Sequence, residues 1–214
     1  MKGIKRKIAA TTSALLILAA SLGLVSYAQW VRGIAEGNRA LADENYSAAG
    51  QAYGAAEQWF DHTSLPSAFL RTGYQRLVFN QARFFNATKK YDDLAHVLEA
   101  GAAHSPELVN EPEYHFWMGI VEYRKAVAET DKQAVRAGLQ RASDSFRMAL
   151  ASGPDAADWD AKYNYEFVSR LLAGMRNKND DTPEKLNRGG MKILREDPDH
   201  PKEQQQKLAP DKRG

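Results

Sequence analysis

The chain has 214 residues, a formal charge of only +2 and no cysteine. So small a net charge supplies no global field that would gather nucleic acid. The missing thiols exclude disulfides, thiolate nucleophiles and cysteine zinc sites, and they leave the chain indifferent to an oxidising compartment. Hydrophobic residues make up 43%, which is enough for a packed core of ordinary size.

The first element is a targeting segment. Lys2, Lys5, Arg6 and Lys7 precede residues 8–31, a run without one charged side chain. As a helix that run is about 36 Å long, sufficient to cross a bilayer with some tilt. Tyr27 and Trp30 stand at its far end, where interfacial aromatics belong, and the basic cluster should remain in the cytoplasm while the rest of the chain lies outside. In a bacterial cell this is a single-pass inner-membrane protein with its bulk in the periplasm. The competing reading is a cleaved signal peptide, because Ser26-Tyr27-Ala28 puts small residues at the two positions a signal peptidase reads. The length of the run, and helix-forming sequence continuing through Ile34 and Leu41 without a proline, favour the retained anchor.

Residues 32–174 carry a series of helix pairs. Gly37, Ala40, Tyr46, Ala49, Tyr53 and Ala56 are spaced G-x2-A-x5-Y-x2-A-x3-Y-x2-A. Small residues at such positions let two antiparallel helices approach while aromatics fill the gaps. The pattern resembles the second half of a tetratricopeptide repeat, although Gly33 and Glu36 stand where that family has Trp and Leu. A second unit begins with a helix over residues 69–87, preceded by a loop around residues 62–66. It restarts at Lys89-Lys90-Tyr91-Asp92-Asp93, continues through Leu94, Leu98 and Gly101, and closes at Pro106. Tyr91 follows Tyr46 by 45 residues, a longer period than the usual ~34 of this repeat class. The third unit spans residues 113–152. Tyr114, Trp117, Ile120 and Val121 mark its first helix; Leu139, Ala142, Phe146, Ala149 and Leu150 mark one face of its second. Gly153-Pro154 should end that helix. Asp158 is placed to cap a last helix over residues 159–172, expected to close the stack without a partner. No segment alternates apolar and polar residues long enough for a strand, so the expected fold is all-α.

Residues 175–214 are too polar to offset chain entropy and should be disordered, apart from a short helix over residues 183–195 that forms on binding.

The stretch Trp159-Asp160-Ala161-Lys162-Tyr163-Asn164-Tyr165-Glu166 is the most distinctive. It resembles the KYNLE helix that follows the last repeat in helical-repeat proteins encoded beside MoxR-type ATPases and von Willebrand A proteins. In size and layout the chain is most similar to the MxaK family of methanol dehydrogenase accessory proteins. The motif residues are Trp159, Lys162, Tyr163, Asn164 and Glu166; Tyr165 departs from the usual Leu. The resemblance implies a periplasmic accessory protein in methanol oxidation. Such a protein would assist maturation of, or metal insertion into, a dehydrogenase, with that enzyme or a MoxR-linked von Willebrand A protein as partner.

Side-chain chemistry by itself names neither a reaction nor a partner. His62, His96, His104, His115 and His200 form no ligand pair at helical spacing, and the acidic pairs lack an EF-hand frame. No phosphate loop or nucleophile elbow occurs, so neither an enzyme nor a cofactor is expected. With Ala82 as the small position of its helix, Arg76, Phe79, Arg83 and Asn86 fall on one stripe at spacings of 3, 4 and 3. In the tetratricopeptide class that stripe lines a groove, where Arg grips a partner's carboxylates bidentately. The plainer alternative is a solvated face with Phe79 partly exposed, and for Trp159, Tyr163 and Asn164 it is packing and capping. Two functions remain: a membrane-anchored protein-binding adaptor, or a structural scaffold component of a secretion or envelope complex.

Overall fold

The computed structural model describes residues 2–63, 67–152 and 159–177. Every regular element among them is helical: α1 (Lys2–Ala42), α2 (Tyr46–Thr63), α3 (Ser67–Ala87), α4 (Tyr91–His104), a 3-10 turn (Pro106–Asn110), α5 (Pro112–Ala128), α6 (Lys132–Ser152) and α7 (Trp159–Asn177). The chain forms two compact units, Met1–Val121 and Glu122–Gly214, and the division falls inside α5.

In the first unit α1 is a single helix of 41 residues, about 60 Å long. Its two halves have opposite surroundings. Leu15, Leu16, Ile17, Leu18, Leu22, Leu24 and Val25 are each more than half exposed, whereas Trp30 and Ile34 are buried. The exposed half belongs to the one helix, among the described residues, that is long and apolar enough to cross a membrane. The buried half packs against α2. Trp30 donates its indole N–H to the Ala56 carbonyl (3.0 Å), and Tyr53 donates its hydroxyl to Asn38 Oδ1 (2.7 Å). A Cβ on Gly37 would stand 2.5 Å from the Tyr53 ring, so only glycine admits that ring. Of the spaced positions, Gly37, Ala49, Tyr53 and Ala56 are buried, Ala49 fully, while Ala40 is half-buried. Tyr46, expected inside, is half-buried because it starts α2.

The connections α1–α2 and α3–α4 are the same turn, 45 residues apart. Asn45 N–H reaches back to the Ala40 carbonyl and Glu44 N–H to Leu41; Lys90 and Lys89 repeat this with Phe85 and Asn86. Glu44 and Lys89 take φ of 58° and 60°. The left-handed residue with these two backbone bonds is the Schellman ending, and it satisfies the terminal carbonyls. Asn45 Oδ1 then caps α2 at the Ala48 N–H (3.2 Å). Lys90 caps α4 with no side-chain bond, but Asp92 and Asp93 lie in its first turn, where negative charge suits the helix dipole. In α4 Leu94, Leu98 and Gly101 are buried, the positions corresponding to Ala49, Tyr53 and Ala56. Gly101 meets Val78 and Leu108, so the 3-10 turn plugs the end of this pair.

In the second unit Asp131 Oδ1 caps α6 at the Ala134 N–H (2.8 Å). Gly138 of α6 abuts Ala126 of α5, and Arg141 Nε reaches Glu122 Oε2 at 2.7 Å. Val135, Leu139, Ala142, Phe146 and Ala149 are buried on one face, while Leu150 is only half-buried. Two expectations change here. The last helix has a partner, since α7 packs along α6, and it continues to Asn177, past the expected end at Leu172 and into the segment expected to be disordered. The expected stop at Gly153-Pro154, the Asp158 cap and the helix over residues 183–195 lie outside the described residues. The first loop starts later than expected, because α2 runs through Thr63.

Candidate interaction surface

The four stripe residues are all on α3, and the structure separates them by burial. Arg76 is exposed and makes no hydrogen bond or ion pair among the described residues. Phe79 is buried, 45 residues after the buried Ile34, so it is a core residue and not a groove contact. Asn86 is half-buried at the end of the helix. Arg83 is half-exposed and already engaged: Nη2 pairs with Glu113 Oε1 at 2.8 Å, and Nη1 donates to Asn80 Oδ1 at 3.2 Å. Glu113 also accepts from the Trp117 indole N–H (3.2 Å). This small network ties α3 to the start of α5. Beneath it the Tyr53 phenol is pushed up to about 12 by burial, an effect the nearby Arg83 guanidinium partly opposes. The stripe therefore offers one unengaged cation, Arg76, and a second, Arg83, that an incoming carboxylate would have to share with Glu113.

Glu113 was not legible as a member of this site. It lies 30 residues from Arg83, and no local spacing links the two. The same holds for the contact between α1 and the end of α2. There Trp59 donates to Ser26 Oγ at 2.6 Å and stacks on Trp30 with ring centroids 5.2 Å apart. Trp30, expected at the membrane interface, is a core residue instead.

The motif helix α7 spreads its residues over different faces. Trp159 is 56% exposed, with Lys162 Nζ 5.4 Å from its ring centroid. Tyr163 is also partly exposed and lies parallel to Phe167, with centroids 6.4 Å apart. Glu166 pairs with Arg170 at 3.3 Å. Asn164 is fully buried, and neither of its amide atoms has a hydrogen-bond partner among the described residues. It does not act as a cap. A shallow depression lined by Gln140, Ser143, Ser169, Leu172 and Ala173 runs between α6 and α7.

No group of three or more His, Asp or Glu stands close enough to hold a metal ion among the described residues. His115 is half-buried, and desolvation lowers its pKa. His104 stands edge-on to Phe60 and Tyr74, with ring centroids 6.2 Å and 5.9 Å away.

No family model, curated protein or solved structure matches this chain.

Proposed function

We propose that this chain is a membrane-anchored adaptor, a helical-repeat body of tetratricopeptide-like stacking that holds a partner protein at the outer face of the bacterial inner membrane. The observation that carries the reading is the division of α1. One continuous helix is apolar and exposed over residues 15–25 and contributes Trp30, Ile34 and Gly37 to the core of the body farther along. A lipid-exposed stretch of that length has little reason to exist on a helix in water, and its fusion to the body makes tether and module one piece. The 45-residue recurrence of the helix–turn–helix supports a repeat array, an architecture that presents helix faces to other chains. The partner is a von Willebrand A protein linked to a MoxR-type ATPase, or the dehydrogenase whose maturation it serves.

The partner surface is the exposed side of α3 around Arg76 and Arg83, and it takes an acidic or C-terminal segment. Each charge-assisted hydrogen bond to Arg contributes about 1.5–3 kcal/mol when partly desolvated. Arg76→Ala with Arg83→Ala should therefore weaken capture of the purified candidate partner at least about tenfold. Both residues are solvent-facing, and an exposed pair such as Arg83–Glu113 contributes at most about 1 kcal/mol. Thermal stability should consequently change little. Deleting residues 178–214, which follow α7, is the control. If that deletion abolishes capture and the double substitution does not, the surface is wrong and a scaffold role resting on the tail takes its place.

A further inference from the structure

The path of α2 brings one end of the first unit to the edge of the apolar span. Gly37 faces Tyr53, Trp30 meets Ala56 and Ser26 meets Trp59. Each step along α2 toward Thr63 is thus a step back along α1 toward its exposed leucines. The helix continues four residues past Trp59 to Thr63, a further rise of about 6 Å. Its last turn therefore comes about level with Leu22, which is 62% exposed. No spacer separates the apolar run from the body.

The Ser26–Trp59 contact sets where the run leaves the lipid. Trp30 and Ile34 are committed to the protein core and are not available to lipid. Residues 8–25 remain, a helix of about 27 Å against a hydrocarbon thickness of about 30 Å. With the hydrocarbon edge near Val25, the level of Ser26, Tyr27 and Trp59 falls within the headgroup layer, where Tyr and Trp concentrate, and the last turn of α2 dips about 4–5 Å below that edge, alongside Leu22. Tyr27 is 43% exposed, and the half-buried Trp59 has its indole donor satisfied by Ser26. That ring can enter a lipid environment without carrying an unpaired N–H.

We propose that the end of the first unit formed by Tyr27 and Trp59 is a membrane-contact surface, seated in the lipid headgroup layer and fixed there by α1. This rests on the anchor reading of α1 and adds to it. The first unit is not a module swinging on a tether; it lies directly on the bilayer, and a partner of its α3 surface must be captured there.

The absence of cysteine makes single-site labelling direct. The full chain carrying Leu18→Cys, Gln58→Cys or Lys90→Cys, each at an exposed position, is labelled with an environment-sensitive fluorophore. It is then reconstituted into phosphatidylcholine–phosphatidylglycerol vesicles, and circular dichroism verifies the helicity of each variant. The label at 18 should lose emission to a nitroxide deep on the acyl chain. The label at 58 should lose it to a nitroxide on the headgroup, and the label at 90 to neither. If position 58 behaves like position 90 while position 18 is quenched, the body stands off the membrane; the inference falls and the anchor stands. If position 18 is not quenched by the deep nitroxide, the anchor reading fails and takes the inference with it.

Discussion

Gly138→Ala and Gly54→Ala make a paired test of the packing in opposite directions. Both glycines lie inside helices, α6 and α2. In a helix interior, replacing Gly by Ala ordinarily stabilises by about 0.5–1 kcal/mol, since it removes backbone freedom from the unfolded chain. At Gly54 the new methyl meets nothing within 4 Å, so that gain should appear in full. At Gly138 the methyl would stand 2.6 Å from Ala126 Cβ and 3.2 Å from Ala126 Cα. A carbon pair rests at about 3.5–4.0 Å, so α5 and α6 must part by roughly 1 Å, and neither neighbour is a flexible side chain that could turn away. Overpacking of this kind costs about 1–3 kcal/mol. Set against the propensity gain, the expected net effect is a loss of up to about 2.5 kcal/mol. The parting also stretches the Arg141–Glu122 pair, one turn along the same contact. Urea titrations of the full chain in detergent micelles, followed by circular dichroism at the helical band, measure both variants. A midpoint that falls for Gly138→Ala and rises for Gly54→Ala is the expected outcome. If Gly138→Ala rises as well, α5 and α6 are not in contact there and the account of the second unit is wrong.

Three further outcomes are expected. Ala49→Arg, at a fully buried helix contact, should destabilise by several kcal/mol, because a charge must be buried unpaired or the helices forced apart; an unchanged urea midpoint would remove α1–α2 packing from the fold. Asn164→Leu should raise the urea midpoint, since it replaces a buried amide with no partner by an apolar group of similar size, and relieving such a group is worth about 1–3 kcal/mol; a drop would reveal a partner for the amide. Stability should decline in alkali, because the Tyr53 phenol titrates at 10.0 when unfolded and at about 12 in the fold. The unfolded chain then loses its proton first, and the contribution of this residue, complete below pH 10, vanishes as pH rises through 12. Tyr53→Phe should flatten that part of the pH–stability curve, measured by urea titration at successive pH values.

The helical class and most helix positions were legible in the sequence because they follow from local rules. The 3.6-residue spacing of Leu139, Ala142, Phe146 and Ala149 names a buried face wherever the partner lies. Gly37, Ala49, Tyr53 and Ala56 signal close helix contact by size alone. Even the 45-residue recurrence from Tyr46 to Tyr91 is a property of the string of residues. The stripe on α3 was found by the same periodicity, but periodicity does not state which side of a helix a neighbour covers. Spacing alone therefore grouped Phe79 with Arg76, although Phe79 is buried and Arg76 is exposed.

The sequence by itself determined that residues 8–31 form an uncharged helix long enough to cross a bilayer, because length and hydropathy are sums over neighbouring residues. Only the tertiary structure decided where that run stops belonging to the membrane. Trp30 lies inside the same uncharged run as Leu22 and Val25, and composition cannot divide it from them. The division comes from α2, which folds back and covers α1 from Ser26 onward. The same physics accounts for Arg83 and Glu113, 30 residues apart, and for Ser26 and Trp59, 33 apart. A hydrogen bond between distant segments depends on how the helices between them are packed, and that packing is a property of the whole chain, which no window of the sequence contains.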